Sequence, residues 1–462
     1  MKALDFLQVE GNQILNGRGE VVQLRGFCLG GWMNLENFMA GFPGHESGAR
    51  AAVADVLGAE KACFFFERYM DTFFSQDDLG FIKSLGCNVI RVALNYRHFE
   101  DDDKPFEYKA EGFARLDQLI RWARYQELYV ILDLHAVQGW QSSGWHCDNP
   151  GGSPRFWGQK LFEDRAVALW EKLARHYRDE VFVAGYNVMN EPEAEDIEWL
   201  NHYYRRVTAS IRSVDPDHIL FLEGNHYSQQ FDQLESPFDA NTVYSSHLYV
   251  PPGLDDFEYP GTVNGVTYDR EWLEEIFLER TTYMREHKVP HLFSEFGPIY
   301  TDPSLESSRL RLMSDFFDIL EKYGDHWTIW NYKDIGKMGI VYADSESDWM
   351  RRTEPVRSLK TALRCDSWIE RQSPGIDNHL QALADHIRSV LGPQVQDLKN
   401  LEETLGFAVC DRLISSILLP AFAEQFRGMN ADEIDQMMQS FAFENCVQRE
   451  RLVELLKDRF LQ

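Results

Sequence analysis

Short runs rich in β-branched and aromatic residues alternate with stretches of helical apolar spacing, and this alternation constrains the fold more than any other feature of the chain. The runs predict eight strands, at 24–30, 88–94, 129–135, 183–190, 218–223, 242–249, 291–295 and 327–332. The intervening spacing predicts helices at 77–85, 112–125, 165–177, 197–214, 269–287 and 307–323. A strand followed by a helix, repeated eight times, is typical of the α/β fold known as the (β/α)8 or TIM barrel; an open doubly wound sheet is the alternative.

Two further regions flank the predicted barrel. Glycine-marked turns near residue 11 and residue 17 predict an N-terminal hairpin. All twelve Trp precede residue 369, whereas residues 374–462 contain neither Trp nor Tyr and have apolar residues at helical spacing. We therefore expect a barrel domain over residues 1–373 and a C-terminal all-helical appendage over residues 374–462. The appendage is expected to cover one rim of the barrel or to mediate homo-oligomerisation.

The charge of the chain argues against two classes of binding partner. The 46 Lys and Arg against 74 Asp and Glu give a net charge of -28, which repels nucleic acids and anionic membranes, so neither is expected to bind. Zinc-protease, phosphate-loop and nucleophile-elbow motifs are absent from the sequence, and we expect no metal and no cofactor.

The cysteines and the N-terminus bear on the compartment. Seven cysteines are scattered without a Cys-x-x-Cys pair, which predicts free thiols. The N-terminus lacks the pattern of a secretory signal. A cytoplasmic location is the expectation that follows.

Polar residues close several of the predicted strands, where a barrel of this kind forms its active site. They are Arg91, His135, Asn190, Glu191, His247, Tyr249, Glu295 and Trp330. Glu191 and Glu295 matter most, because cleavage of a glycosidic bond needs one carboxyl group to protonate the leaving oxygen and another to meet the anomeric carbon. Carboxyl groups about 5–5.5 Å apart retain the anomeric configuration, and the ionised one raises the pKa of its neighbour. Taken singly, His135 and His247 are more often core histidines, and only the ordered set favours a site; core packing is the alternative for Trp330.

In this order and on these strands, the eight residues resemble the functional set of family 5 glycoside hydrolases, over residues 9–371. The resemblance implies that Glu191 is the acid/base, that Glu295 is the nucleophile, and that Asn190 donates to the 2-hydroxyl of the sugar. It also implies that Arg91 and Tyr249 hold Glu295.

The resemblance assigns the remaining three residues to the surroundings of the sugar. His247 is expected to hydrogen-bond near Glu191. Trp330 is the expected platform under the sugar, and His135 is expected to line the same subsite.

Two long insertions suggest how the substrate is bounded. The segments 31–76 and 136–157 follow the first and third strands and carry further candidate substrate-binding residues: Trp32, Asn34, Trp145, His146 and Asp148. Loops packed on their own aromatic residues are the alternative. Insertions at this end of a barrel would close a cleft to a pocket, which favours action on chain ends or on small oligosaccharides.

The insertions also resemble intracellular family 5 branches that include exo-β-mannosidases, in Gly30-Gly31-Trp32-Met33-Asn34 and in Trp145-His146-x-Asp148-Asn149-Pro150. The prediction is a retaining exo-β-mannosidase. The alternatives are a β-glucosidase, an endo-β-1,4-glucanase or mannanase, and a non-catalytic sugar-binding protein.

Overall fold

The computed structural model describes residues 6–365, 368, 374–392 and 401–461. Its centre is a closed barrel of eight parallel strands in which each strand pairs with the next along the chain and the eighth pairs with the first. The strands are β1 (Arg25–Met33), β2 (Val89–Asn95), β3 (Tyr129–Ala136), β4 (Val183–Asn187), β5 (Ile219–Glu223), β6 (Thr242–Leu248), β7 (His291–Phe296) and β8 (His326–Ile329). The predicted barrel is confirmed, and the open sheet is excluded.

Helices pack around the barrel and extend beyond it. In the described part of the chain, those longer than one turn are α1 (Glu46–Leu57), α2 (Ala59–Phe73), α3 (Gln76–Ser84), α4 (Ala110–Gln126), α5 (Lys160–Tyr177), α6 (Ile197–Arg212), α7 (Arg270–Arg280), α8 (Thr282–His287), α9 (Glu306–Tyr323), α10 (Asp348–Ala362), α11 (Pro374–Leu391), α12 (Leu401–Glu424), α13 (Ala431–Met438) and α14 (Glu450–Phe460). The predicted helix at 269–287 is two helices that meet at Thr281.

The insertion after β1 is helical, although the sequence predicts a loop there. It forms α1 and α2, which meet at Gly58, a residue with a φ of +80°. Phe65, Tyr69 and Phe73 recur at helical spacing on the buried face of α2. The insertion therefore contributes to the core.

Strands β4 and β8 end earlier than predicted, and this positions the site. Asn190 lies three residues beyond β4, where its backbone N–H still donates to the carbonyl of Leu134 at 3.1 Å. Trp330 directly follows β8, and its N–H donates to the carbonyl of Phe296 at 3.0 Å. Both residues therefore lie on the turns above the barrel, where side chains can point into a hollow.

Short sheets complete the molecule. The predicted N-terminal hairpin is present as Gln8–Glu10 paired with Gln13–Leu15, and buried Ile14 joins the apolar cluster that closes the N-terminal end of the barrel. Two more hairpins are Glu100–Asp101 with Lys104–Tyr108 and Gly261–Val263 with Val266–Tyr268. A three-stranded sheet combines Lys333–Asp334, Val341–Ala343 and Cys446–Gln448.

The C-terminal segment shares its core with the barrel domain. Helix α12 packs on α1, and α13 packs on α2. The fully buried ring of Phe426 lies 4.8 Å from that of Phe65, and the ring of Phe460 lies 5.3 Å from that of Trp327. C-terminal helices are present as predicted, but the description "all-helical" is wrong, because Cys446–Gln448 is a strand that extends a sheet of the barrel domain.

Helix α12 is also long and apolar enough to cross a membrane, judged by length and composition alone. Its most apolar window has a mean hydropathy of 1.6 and is 39% buried. A core helix of a soluble protein passes the same test, and α12 packs against α1 and α10.

Candidate active site

Glu191 and Glu295 face one another at the C-terminal end of the barrel. A carboxylate oxygen of each and a ring nitrogen of His247 all lie within 4.8 Å of one another. The side chain of Glu191 is 13% exposed and that of Glu295 is 5% exposed. Glu191 has a φ of +45°, and its backbone N–H donates to Glu223 Oε2 at 2.8 Å, which fixes this turn. The structure therefore brings the predicted carboxyl pair together.

Two donors hold Glu295. Arg91 Nη1 donates to Oε1 at 2.7 Å, and the Tyr249 hydroxyl donates to Oε2 at 2.9 Å. Burial raises the pKa of Glu295, whereas His247 and Arg91 oppose that rise. Because both oxygens accept hydrogen bonds and one of the donors is a guanidinium, Glu295 is the member of the pair that is stabilised as a carboxylate.

Arg91 organises the floor of the site. It is fully buried, and it also contacts Glu223 at 3.0 Å, Asp133 at 3.1 Å and the amide oxygen of Asn190 at 2.6 Å. The bond to Asn190 turns the NH2 group of that amide toward His135, whose Nε2 lies 3.2 Å away. The amide of Asn190 is thereby fixed between Arg91 and His135.

Two imidazoles contact Glu191, one at each oxygen. His247 Nδ1 lies 2.6 Å from Oε1, and His146 Nε2 lies 3.2 Å from Oε2. Burial raises the pKa of Glu191, and it lowers the pKa of His247 and also that of His146, to about 4. Both rings are therefore neutral near pH 7, and burial favours the protonated form of Glu191.

One side of the hollow is aromatic. The rings of His135 and Trp330 are parallel within 2°, with centroids 5.2 Å apart. His135 Nδ1 lies 2.7 Å from Asp133 Oδ2, and its Nε2 lies 3.2 Å from Glu36 Oε1. The resemblance predicts Trp330 as the sugar platform and His135 as a residue that lines the same subsite.

The residues predicted from the insertions differ in their surroundings. Trp145 and His146 form a single turn beside Glu191. Trp32 and Asp148 are each 1% exposed and bonded within the protein, which argues against their prediction as sugar-binding residues. Trp32 is 1% exposed and donates to the carbonyl of Met70, so that it is a core residue.

Asp148 and Asn34 hold the insertions to each other. Asp148 accepts from the backbone N–H of Ser47 at 2.7 Å and from Arg97 at 3.0 Å. Asn34 Nδ2 donates to the carbonyl of His146 at 3.1 Å. The oxygens of Asp148 are therefore bonded within the insertions, and Asn34 contacts the site through the backbone of His146.

Sequence reasoning missed Glu223 and Glu36. Glu223 closes the apolar strand β5 and contacts both Arg91 and the backbone of Glu191. The rule that selected Glu295, a carboxylate at the end of an apolar strand, applies equally to Glu223. Glu36 follows β1 and reaches His135, but a polar residue within an insertion gave no comparable signal.

Comparisons with known proteins give the family of the chain. The family model "Cellulase (glycosyl hydrolase family 5)" matches residues 54–336. A "Beta-xylosidase" of Phanerodontia chrysosporium is 38% identical over 470 residues, which cover 98% of each chain. A "Probable glucan 1,3-beta-glucosidase A" of Aspergillus clavatus is 32% identical over 227 residues, covering 47% of this chain and 52% of the other.

Solved structures support the fold. One described as a glycoside hydrolase superposes with a TM-score of 0.52 at 18% identity, covering 68% of this chain and 90% of the other. The barrel, the facing carboxylates and the full-length relative lead to one assignment. The chain belongs to glycoside hydrolase family 5 and is an enzyme that acts on β-glycosides.

Proposed function

We propose that this chain is a retaining, exo-acting β-glycosidase in which Glu295 is the nucleophile and Glu191 the acid/base. The observation that carries the proposal is the pair of facing carboxyl groups, with oxygens within 4.8 Å, of which one is held by Arg91 and Tyr249. Inverting enzymes keep their carboxyl groups about 6.5–9.5 Å apart to admit a water molecule, so the close spacing favours retention.

The reaction has two displacements. The Glu295 carboxylate attacks the anomeric carbon while the bond to the leaving oxygen breaks, and Glu191 gives its proton to that oxygen. Glu191, now a carboxylate, takes a proton from a water molecule, which attacks the same carbon and breaks the ester to Glu295. Asn190 is oriented by Arg91 to donate to the sugar 2-hydroxyl, and Trp330 with His135 forms the wall beside the ring.

Action at chain ends is supported by the insertions. Asp148 joins the segment after β3 to Ser47 of α1, and Asn34 joins it to the segment after β1. The wall that results stands beside Glu191, because His146 is part of it. A wall on this side blocks an extended polymer and admits a terminal sugar.

For the sugar itself, we propose a residue with an equatorial 2-hydroxyl, a β-xyloside or a β-glucoside. The support is the name of the relative that matches over 98% of both chains, a β-xylosidase, together with the glucosidase name of the second relative. The β-mannoside that the insertions suggested has no support from these names and stays a prediction.

A panel of p-nitrophenyl β-xyloside, β-glucoside and β-mannoside tests the proposal, with soluble glucan, xylan and mannan as polymers. We expect turnover of an equatorial aryl glycoside well above that of any polymer, and a β-anomeric first product by proton NMR. Faster cleavage of polymer would indicate an endo-acting enzyme. Binding without turnover would indicate a sugar-binding protein.

Variants assign the carboxyl groups. Glu295→Gln should abolish turnover, and Glu191→Gln should lower it by about 10²–10⁴-fold, the contribution of general acid–base catalysis. Glu195→Gln is the matched control, since Glu195 is exposed in the same segment as Glu191. Full activity of Glu295→Gln would refute the mechanism.

A further inference from the structure

Glu191 contacts an imidazole that the family resemblance does not assign to it. His146 Nε2 lies 3.2 Å from Glu191 Oε2 and 3.0 Å from the Ser142 hydroxyl, and the side chain is 13% exposed. It comes from the insertion after β3, whereas His247, at the other oxygen, comes from β6. Each oxygen of the acid/base therefore has its own ring nitrogen.

The segment that carries His146 is held by α12, a helix of the C-terminal segment. Arg412 of α12 donates to the carbonyl of Gly151 at 2.7 Å, and its second Nη lies 3.5 Å from the carbonyl of Ser143. The guanidinium therefore bridges the two sides of the turn that presents His146. The ring of Phe407 supports it at 4.2 Å.

Glycine 152 shows how closely this bridge is fitted. Its φ is +66°, and a Cβ placed there would lie 1.3 Å from Arg412 Nη2. A side chain at this position would have to displace the guanidinium. The backbone of the turn and the side chain from α12 thus fit only with glycine at position 152.

We infer that His146 is a positioning residue that controls the protonation of Glu191, and that Arg412 of α12 holds His146 in place. The inference rests on the proposed acid/base function of Glu191. A neutral His146 donates its Nε2–H to the Glu191 carboxylate that forms after the aglycone leaves, and it thereby favours the state that activates water.

Other groups also face Glu191. They are His247, Glu295, Arg91, Asp133, Glu223, Tyr227, Tyr249 and, on its own segment, Glu193. Replacing His146 leaves all of them in place, so that a change in pH dependence reports the loss of one donor.

The direction of that change follows from the hydrogen bond that we infer between His146 and ionised Glu191. Removal of a donor to a carboxylate raises the pKa of the acid, because the ionised form loses stabilisation. In His146→Leu the basic limb of kcat/KM should therefore move to higher pH by about one unit, while deglycosylation slows because Glu191 ionises less readily. His146→Gln keeps an N–H near the position of Nε2 and should restore the wild-type limb.

Arg412→Met should move the basic limb in the same direction by a smaller amount, because His146 remains but is less well placed. Arg427→Met is the matched control, since Arg427 is exposed and pairs only locally with Glu424 in the same C-terminal segment. A loss of rate that is uniform across pH in both His146→Leu and Arg412→Met would overturn the inference.

The experiment measures kcat/KM against pH with the p-nitrophenyl glycoside that is turned over best, for the full-length chain and each variant, with Glu191→Gln beside them. If Glu191→Gln keeps the wild-type profile, the proposed function itself fails. If Glu191→Gln loses the basic limb but His146→Leu keeps it unmoved, only the inference fails. Should His146→Leu not fold, the limb of Arg412→Met decides: a shift supports the inference, and an unmoved limb refutes it.

Discussion

Replacing Tyr249 with phenylalanine removes one hydroxyl from the surroundings of Glu295, the proposed nucleophile, and little else. That hydroxyl donates to Glu295 Oε2 at 2.9 Å, while the ring packs edge-on against Trp368 with centroids 4.9 Å apart. Phenylalanine keeps the ring contact. The variant therefore tests a single hydrogen bond to a buried carboxylate.

The size of the effect follows from the bond that is lost. A hydrogen bond to a charged group contributes about 1.5–3 kcal/mol, which corresponds to roughly a 10- to 150-fold loss in kcat/KM if the bond also supports the transition state. The sign of the pH effect is also fixed. Glu295 must be ionised to attack, the hydroxyl stabilises the ionised form, and its removal raises the pKa of Glu295 further above the ordinary value.

The acidic limb of the kcat/KM profile should therefore move to higher pH in Tyr249→Phe, while the basic limb stays in place. The assay is hydrolysis of an aryl β-glycoside between pH 4 and pH 9. Tyr125→Phe is the control, because that ring is 75% exposed. An acidic limb identical to that of the wild type would refute the assignment of Tyr249 as a support of the nucleophile.

Three further predictions concern the floor of the site and the core. Arg91→Met should lower the unfolding free energy, measured by urea titration, by about 3–5 kcal/mol, because it leaves buried carboxylates without their cation. Arg178→Met is the control, since Arg178 is exposed, and it should leave the urea midpoint unchanged. Phe426→Ala removes a fully buried ring and should lower the unfolding free energy by about 3–5 kcal/mol, whereas Phe238→Ala, at an exposed ring, should lower it far less. Equal urea midpoints for the two variants would contradict a core shared by the barrel and the C-terminal segment. Glu223→Gln should lower kcat more than it raises KM, because it loosens Arg91 and the turn that bears Glu191. An unchanged kcat would count against a positioning function for Glu223.

The sequence predicted the eight barrel strands because each leaves a local signal. A strand buried between a helix layer and the barrel interior is a short apolar run, and a reactive side chain at its end interrupts that run. Glu191 and Glu295 were found in this way, and Arg91 interrupts the apolar run within β2. The same signal was present at Glu223, but the family resemblance did not include it.

The insertions were predicted less well. Their residue types suited a sugar, yet Trp32 packs in the core and Asp148 is bound within the insertion network. Aromatic and polar side chains fill a core or line a pocket equally well, and their order along the chain does not distinguish the two. The helical periodicity of α2 is nevertheless visible in the sequence, at Phe65, Tyr69 and Phe73.

By itself, then, the sequence determined the barrel and the order of its strands, and it predicted the carboxyl pair of Glu191 and Glu295, since each depends on patterns a few residues long. Only the tertiary structure decided which groups surround Glu191. His146 and Arg412 lie 266 positions apart by their numbers, and their contacts depend on how α12 packs on α1 and on the turn at Gly152. Such contacts form when long loops close onto a common core, and the free energy of that closure depends on residues far apart in the sequence.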